Sequence, residues 1–306
     1  LSLQSDFILT DKGDVADYLG IRVSKQSDST INLTQPALIQ RVLDLLGIRD
    51  GSKTHVTPVI HKGLLHSDVD GPPRKQPWNY RSAIGILNYI AASTRPDTSF
   101  AVHQCARFCL DPKLSHEQAV KRIARYLAGT ADKGIVYRPD VFQSLHCYVD
   151  ADFAGLWNVG DAQDPISVMS RTGFVICYAG CPIFWLSKLQ SEVALSTTEA
   201  EYIGLSQSLR DVIPLLNIIA ELQQVFIFPT HQALLSCSLF EDNAEFGLGI
   251  QLGINKKHEI AVDLLKSLEL LVGSEIVEAI LNNPEETEVQ KKEKLAHIDE
   301  LKQTLL

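Results

Sequence analysis

The 306 residues contain a single methionine, Met169, and the chain opens on Leu1, which suits an internal piece of a longer polyprotein. No C-x-x-C occurs, and the cysteines fall at 105, 109, 147, 177, 181 and 237. We read all six as small packed residues kept reduced in an intracellular setting. No apolar run approaches the roughly 20 residues of a membrane span, and no signal-peptide pattern opens the chain. A membrane is therefore not among the expected partners. No two aspartates are adjacent anywhere.

What is present is an ordinary globular composition, 45% hydrophobic and 21% charged, in a chain long enough for two domains. The charge is uneven. Residues 1–140 carry 18 Lys and Arg against 14 Asp and Glu, whereas residues 141–306 carry 10 against 23. That split argues against uniform electrostatic binding of nucleic acid, and leaves room for a basic grip beside an acidic, cation-dependent site.

In the front half, Asp17–Val23 and Thr30–Leu33 alternate like two strands. Leu38, Ile39, Val42, Leu45 and Leu46 recur at helical spacing, with Gly47 as the stop. A Gly- and Pro-rich stretch predicts a loop from Asp50 to Pro77, and two helices follow, the second over 98–110. A further helix is expected from Ser115, with Gln118 completing a capping box, to Gly129. On it Lys121, Arg122 and Arg125 share a face. Such a cluster is either a solvated face or a contact with nucleic-acid phosphates.

The back half supplies carboxylates. Leu145–Val149 alternates like a strand that delivers Asp150 to its end, with Asp152 two residues on. Arg171–Tyr178 and Ile183–Leu186 read as the next two strands, the three forming an antiparallel sheet. Ser196 and Glu199 have capping-box spacing at a helix start, so Glu199 has a local role that Glu201 lacks. That helix is expected to run to about Pro214 and a second one to follow. Cys237–Asn243 looks like a strand ending in Glu241 and Asp242, of which only one can join a common cluster. Asp150, Glu201 and Asp242 brought together would repel unless hard divalent cations lay between them. Oxygen-only ligands favour Mg²⁺ or Mn²⁺ over zinc, and two such ions ~3.5–4 Å apart suit phosphodiester hydrolysis.

The segments DVADYLGIRV, INLTQPALIQRVLDLLGI, YRSAIGILNYIAASTRPDTSFAVHQCARF and AVKRIARYLAGTADKGIVYRP resemble the part of copia-type retrotransposon polyproteins that follows the polymerase palm. YVDADFAG, GFVICYAGCPIFWLSK, ALSTTEAEYIGLS and FEDN resemble that family's ribonuclease H domain. The resemblance covers roughly residues 6–243. It implies an α/β fold, a ribonuclease H-like mixed sheet with flanking helices (141–263), preceded by a smaller mixed α+β thumb/connection region (1–140). By the same resemblance, Asp150, Glu201 and Asp242 match the catalytic, metal-binding acids, and Lys121, Arg122 and Arg125 help grip an RNA–DNA hybrid. The implied activity is two-metal hydrolysis of the RNA strand during reverse transcription, alongside the rest of the polyprotein. The implied location is the cytoplasm, with the nucleus or virus-like particles as alternatives. The polymerase hairpin of the family needs an Asp-Asp pair, so polymerisation is not expected.

Beyond Asn243 the resemblance ends. Glu259 and Asp263 are the two candidates for the family's fourth metal-binding acid, because the aligned position is Ile260. Residues 264–306 read as a helical tail foreign to the family. There Leu295, Ile298, Leu301 and Leu305 stripe one face from about 284 onward, suited to a partner helix or to docking on its own domain. A catalytically inactive remnant that binds nucleic acid or protein is the alternative to a working nuclease.

Overall fold

A computed structural model describes residues 13–49, 51–59, 65–140, 142–157, 164–225, 236–240 and 250–253. The chain divides into two compact units, one of residues 1–231 and 237–250, the other of 232–236 and 251–306. Within the second, only Ser236 and 251–253 are described, all in strand conformation. The architecture is mixed α/β. No helix among the described residues is long and apolar enough to cross a membrane.

The first unit opens with an antiparallel sheet of β1 (Asp17–Tyr18), β2 (Ile21–Lys25), β3 (Ile31–Thr34) and β4 (Ile135–Tyr137), in that order. Sequence pattern signalled β3 and a single strand over Asp17–Val23 where the chain folds into β1 and β2, and it did not signal β4. Three residues carry too little periodicity, and the partner strand lies about a hundred residues away. Gly134, just before β4, is dictated by contact, since a Cβ there would collide with the Leu33 carbonyl oxygen.

Four helices share a core of their own. α1 (Pro36–Leu46) starts with proline in its first turn and buries Ile39, Val42, Leu43 and Leu46. It ends at Gly47, whose φ of 65° is the left-handed cap. α2 (Tyr80–Ser93) is capped by Asn79, which accepts the Ser82 N–H at 2.9 Å. α3 (Ser99–Ala106) is short, and α4 (Leu114–Ala128) is capped differently from expectation. His116, not Gln118, reaches back to accept the Lys113 N–H at 2.8 Å, and Ser115 instead donates to Asp68. Leu87, Ile90, Val102, Val120, Ile123 and Leu127 meet in the core between these helices. Each such burial stabilises by about 1.5–3 kcal/mol.

The second sheet holds β5 (Leu145–Asp152), β6 (Arg171–Tyr178), β7 (Cys181–Leu189) and β8 (Ser236–Phe240). Its order within the first unit is β7-β6-β5-β8, and β9 (Ile250–Gly253) is the last described strand. β6 is antiparallel to both β5 and β7, while β8 runs parallel to β5. The β6–β7 hairpin turns on Ala179 and Gly180, with φ of 51° and 73°, the double positive φ of a type I′ turn. α5 runs unbroken from Thr197 to Val225 with Pro214 inside it, one helix where the proline predicted two. The buried stripe Leu205, Leu209, Val212, Leu216 and Ile219 continues across the proline, and that packing outweighs the lost backbone bond. The Trp185 indole of β7 donates to the Ala91 carbonyl of α2 at 2.8 Å, joining sheet and helices.

Candidate functional site

Strand alternation sets the site. Along β5, Leu145, Cys147, Val149 and Ala151 are buried, and Tyr148, Asp150 and Asp152 point to the more open face. α5 lies over the buried set, close enough that a Cβ on Gly204 would stand 3.4 Å from that of Ala151. Gln190, almost fully buried, donates to the Ala200 carbonyl at 2.8 Å and the Thr172 hydroxyl at 3.1 Å, which ties the first turn of α5 to β6. At that turn the Ser196 hydroxyl accepts the Glu199 N–H at 3.1 Å, and the Glu199 carboxylate accepts the Leu195 N–H at 2.6 Å. The capping role expected of Glu199 is present, one residue displaced.

Asp150 is exposed at a position opposite Gly173 of β6, which has no side chain to crowd it. Glu201 is 9% exposed and belongs to the helix on the other face. Among the described residues, no three His, Cys, Asp or Glu side chains gather where a metal ion would sit. Asp242, Glu259 and Asp263 lie outside the described residues. Asp152 is occupied within the fold, where its Oδ1 accepts the Arg171 N–H at 2.6 Å. Burial raises its pKa against the pull of that bond, and the neighbouring Asp150 charge adds to the rise.

The open face carries features that sequence pattern does not signal. Tyr148 and Phe240 stack at 5.0 Å, with the His146 ring edge-on to Phe240 at 5.6 Å. Arg171, 5% exposed, directs Nη1 to His103 Nδ1 of α3 at 3.1 Å and lies 5.0 Å over the Phe100 ring. Burial, tempered by Asp152, lowers Arg171 to about 10, and burial together with Arg171, Arg107 and Lys188 pushes His103 down to about 4. The only signal in the sequence for this pair is an arginine at the start of a strand.

The basic trio on α4 separates. Lys121 Nζ is held at 3.0 Å by Glu117, one turn earlier and 2% exposed, so it is not the open contact its spacing suggested. Arg122 donates from Nη2 to the Thr57 hydroxyl at 3.0 Å, and Arg125 stands one turn further on.

No family model and no solved structure matches the chain. Among curated proteins, the retrovirus-related Pol polyprotein from transposon RE1 of Arabidopsis thaliana is 34% identical over 223 residues, 72% of this chain and 14% of that protein. The corresponding polyprotein from transposon TNT 1-94 of Nicotiana tabacum is 34% identical over 226 residues, 72% of this chain and 16% of its own length. This chain thus spans about one seventh of such relatives. A pyruvate-flavodoxin oxidoreductase of Trichormus variabilis is 51% identical over 70 residues, 23% of this chain and 6% of that enzyme. On the similarity to RE1 and TNT 1-94, carried through most of its length, the chain belongs to the family of Pol polyproteins of copia-type retrotransposons.

Proposed function

We propose that residues 141–263 act as a ribonuclease H-like domain that cuts the RNA strand of an RNA–DNA hybrid with Mg²⁺ or Mn²⁺. In this reading residues 1–140 are a thumb/connection-like region, the rest of a Pol polyprotein is the natural partner, and reverse transcription in the cytoplasm or in a virus-like particle is the setting. The observation that carries the proposal is Asp150, an exposed acid on a central strand. Its strand has an antiparallel hairpin on one side, a parallel strand on the other and α5 across one face. Kinship with Pol polyproteins supplies the chemistry. Asp150 and Glu201 offer oxygen donors of the kind hard cations prefer. They do not complete a metal site without a third donor, so the hydrolytic step rests on that kinship.

The test is cleavage of a hybrid labelled in its RNA strand, with Mg²⁺, with chelator, and with Asp150→Asn. Mg²⁺-dependent cutting that vanishes in a folded Asp150→Asn chain is the expected result, and normal cutting by that variant refutes the assignment.

A second reading is an inactive remnant that binds nucleic acid or protein. The 70-residue kinship with an oxidoreductase supports it. We assign that kinship to the carboxyl end, where Pol-like motifs stop. No cutting by a folded chain is the outcome expected of this reading. Sequencing the transcript across the codons for residues 225–264 tests the join itself. Two separate transcripts would remove the tail from the protein.

A further inference from the structure

We infer that the guanidinium of Arg171 is the centre of a small-anion site, which takes a free oxyanion of carboxylate or phosphate type on its Nε/Nη2 edge. The inference does not depend on whether the chain binds or cuts nucleic acid.

Arg171 opens β6 and is 5% exposed. Its orientation is fixed from two sides. Nη1 donates to His103 Nδ1 at 3.1 Å and to the Ser187 hydroxyl at 3.4 Å. The Phe100 ring centre lies 5.0 Å from the guanidinium carbon. The other edge is left over. Nε and Nη2 are both shielded from solvent, and neither has a hydrogen-bond partner. These two nitrogens are the pair whose N–H bonds run parallel, the fork with which arginine holds two oxygens of one anion at once. Arg107 and the exposed Lys188 add positive charge at the same place, since both act on His103 together with Arg171.

Arg95 shows the same edge in use. Its Nε donates to Asp97 Oδ1 at 3.0 Å and its Nη2 to Asp97 Oδ2 at 2.7 Å, and it is buried as deeply, at 2% exposed. Arg171 has no such acid. Among the described residues no carboxylate comes within ion-pair distance of it. Asp152 acts on it from further off and is committed to backbone. Its Oδ1 accepts the Arg171 main-chain N–H at 2.6 Å, and its Oδ2 lies so close over Gly155 that a Cβ there would stand 2.3 Å away. A guanidinium buried without a counter-charge is costly, and a two-oxygen anion on the parallel donors offsets that cost. Because neither donor atom meets solvent, the ligand is a free ion and not a segment of a macromolecule. Held there, it would strengthen the join that Arg171 makes between α3 and the second sheet.

The test follows the full chain in chloride buffer as sodium acetate or sodium phosphate is added at matched ionic strength, by thermal melting and by the His103 ring resonances in NMR. Above about 10 mM of the preferred anion, wild type should melt higher with log concentration, and the resonances should shift to saturation over the same range. Whichever anion acts at the lower concentration gives the ligand type. Arg171→Met should lose both responses. Arg171→Lys, which keeps the charge without the fork, should weaken binding by about tenfold or more. Lys188→Gln, an exposed charge off the fork, should weaken it by no more than about threefold. If neither Arg171 variant folds, the wild-type resonances decide alone. No saturable shift in wild type, an equal shift with chloride, or an unchanged response in Arg171→Met would each overturn the site. Binding by Arg171→Lys as tight as wild type would overturn the fork. Displacement of the anion by a DNA duplex would overturn a free ion as the ligand.

Discussion

Replacing Glu117 with glutamine tests how the loop before α2 is held to α4. Glu117 is 2% exposed; its Oε2 accepts the N–H groups of Lys75 and Gln76 at 3.1 and 3.0 Å, and Oε1 accepts Lys121 Nζ at 3.0 Å. Arg74 adds its charge from 3.8 Å. Burial alone would raise the carboxyl pKa, but the Gln76 N–H, then Lys121 and the Lys75 N–H, bring it below its ordinary value. Glutamine keeps the shape and can still accept the two backbone donors, but it turns an N–H₂ or an uncharged oxygen toward the lysine. Each of three bonds loses its charge-assisted part, about 1 kcal/mol apiece, so the variant should lose about 3 kcal/mol. At a denaturant slope of about 3 kcal/mol/M, the urea midpoint at pH 7 should fall by about 1 M. Fluorescence of Trp78, two residues past Gln76 and buried, reports the transition. The sign in acid follows from the lowered folded-state pKa. The stabilisation is complete above the unfolded pKa of about 4.3 and is lost as pH falls through the folded value, so the gap between wild type and variant should narrow steadily as pH falls below about 4.3. A difference below about 0.5 kcal/mol at pH 7, or one that is the same at pH 3, would show that the charge does not hold the loop.

Arg171→Met removes a buried cation that, among the described residues, no carboxylate approaches within ion-pair distance; it should be neutral or stabilising by about 1 kcal/mol in urea unfolding, and a loss beyond about 2 kcal/mol would contradict this. The same variant should raise the His103 titration, followed by NMR, from about 4 toward its ordinary 6.5. With the folded value depressed, wild type loses stability as pH falls from about 6.5 to 4, and the variant should lose less over that window. Gly134→Ala drives a methyl into the Leu33 carbonyl and should cost about 1–3 kcal/mol, read as a lower melting temperature; an unchanged melt would mean that the approach of β4 to β3 is not tight.

Much of the fold was legible where the signal is local. The alternation in Leu145–Tyr148 and the glycine turn at Gly180 announce β5, β6 and β7, and Gly47 announces the end of α1. Elements decided by distant partners were not. β4 exists because β3 offers it an edge, and α5 survives Pro214 because its apolar stripe is packed on both sides of the proline. At the candidate site, the strand pattern puts Asp150 at an open position, and the four-residue spacing of Glu117 and Lys121 on α4 carries the signal of the ion pair that takes Lys121 out of the basic trio. Spacing could not show that Arg122 donates to Thr57, which lies 65 residues earlier with no periodicity to join the two.

The parallel pairing of β5 with β8 also sets an order of events during synthesis. The β5–β6–β7 meander and all of α5 emerge from the ribosome before β8 does. Until then the edge of β5 from Leu145 to Tyr148 presents unpaired backbone groups. A chain halted after Val225 would keep that edge bare, with Tyr148 beside it. Such a nascent species invites strand pairing with its own copies, so the last strand serves as a guard against aggregation as well as a member of the sheet.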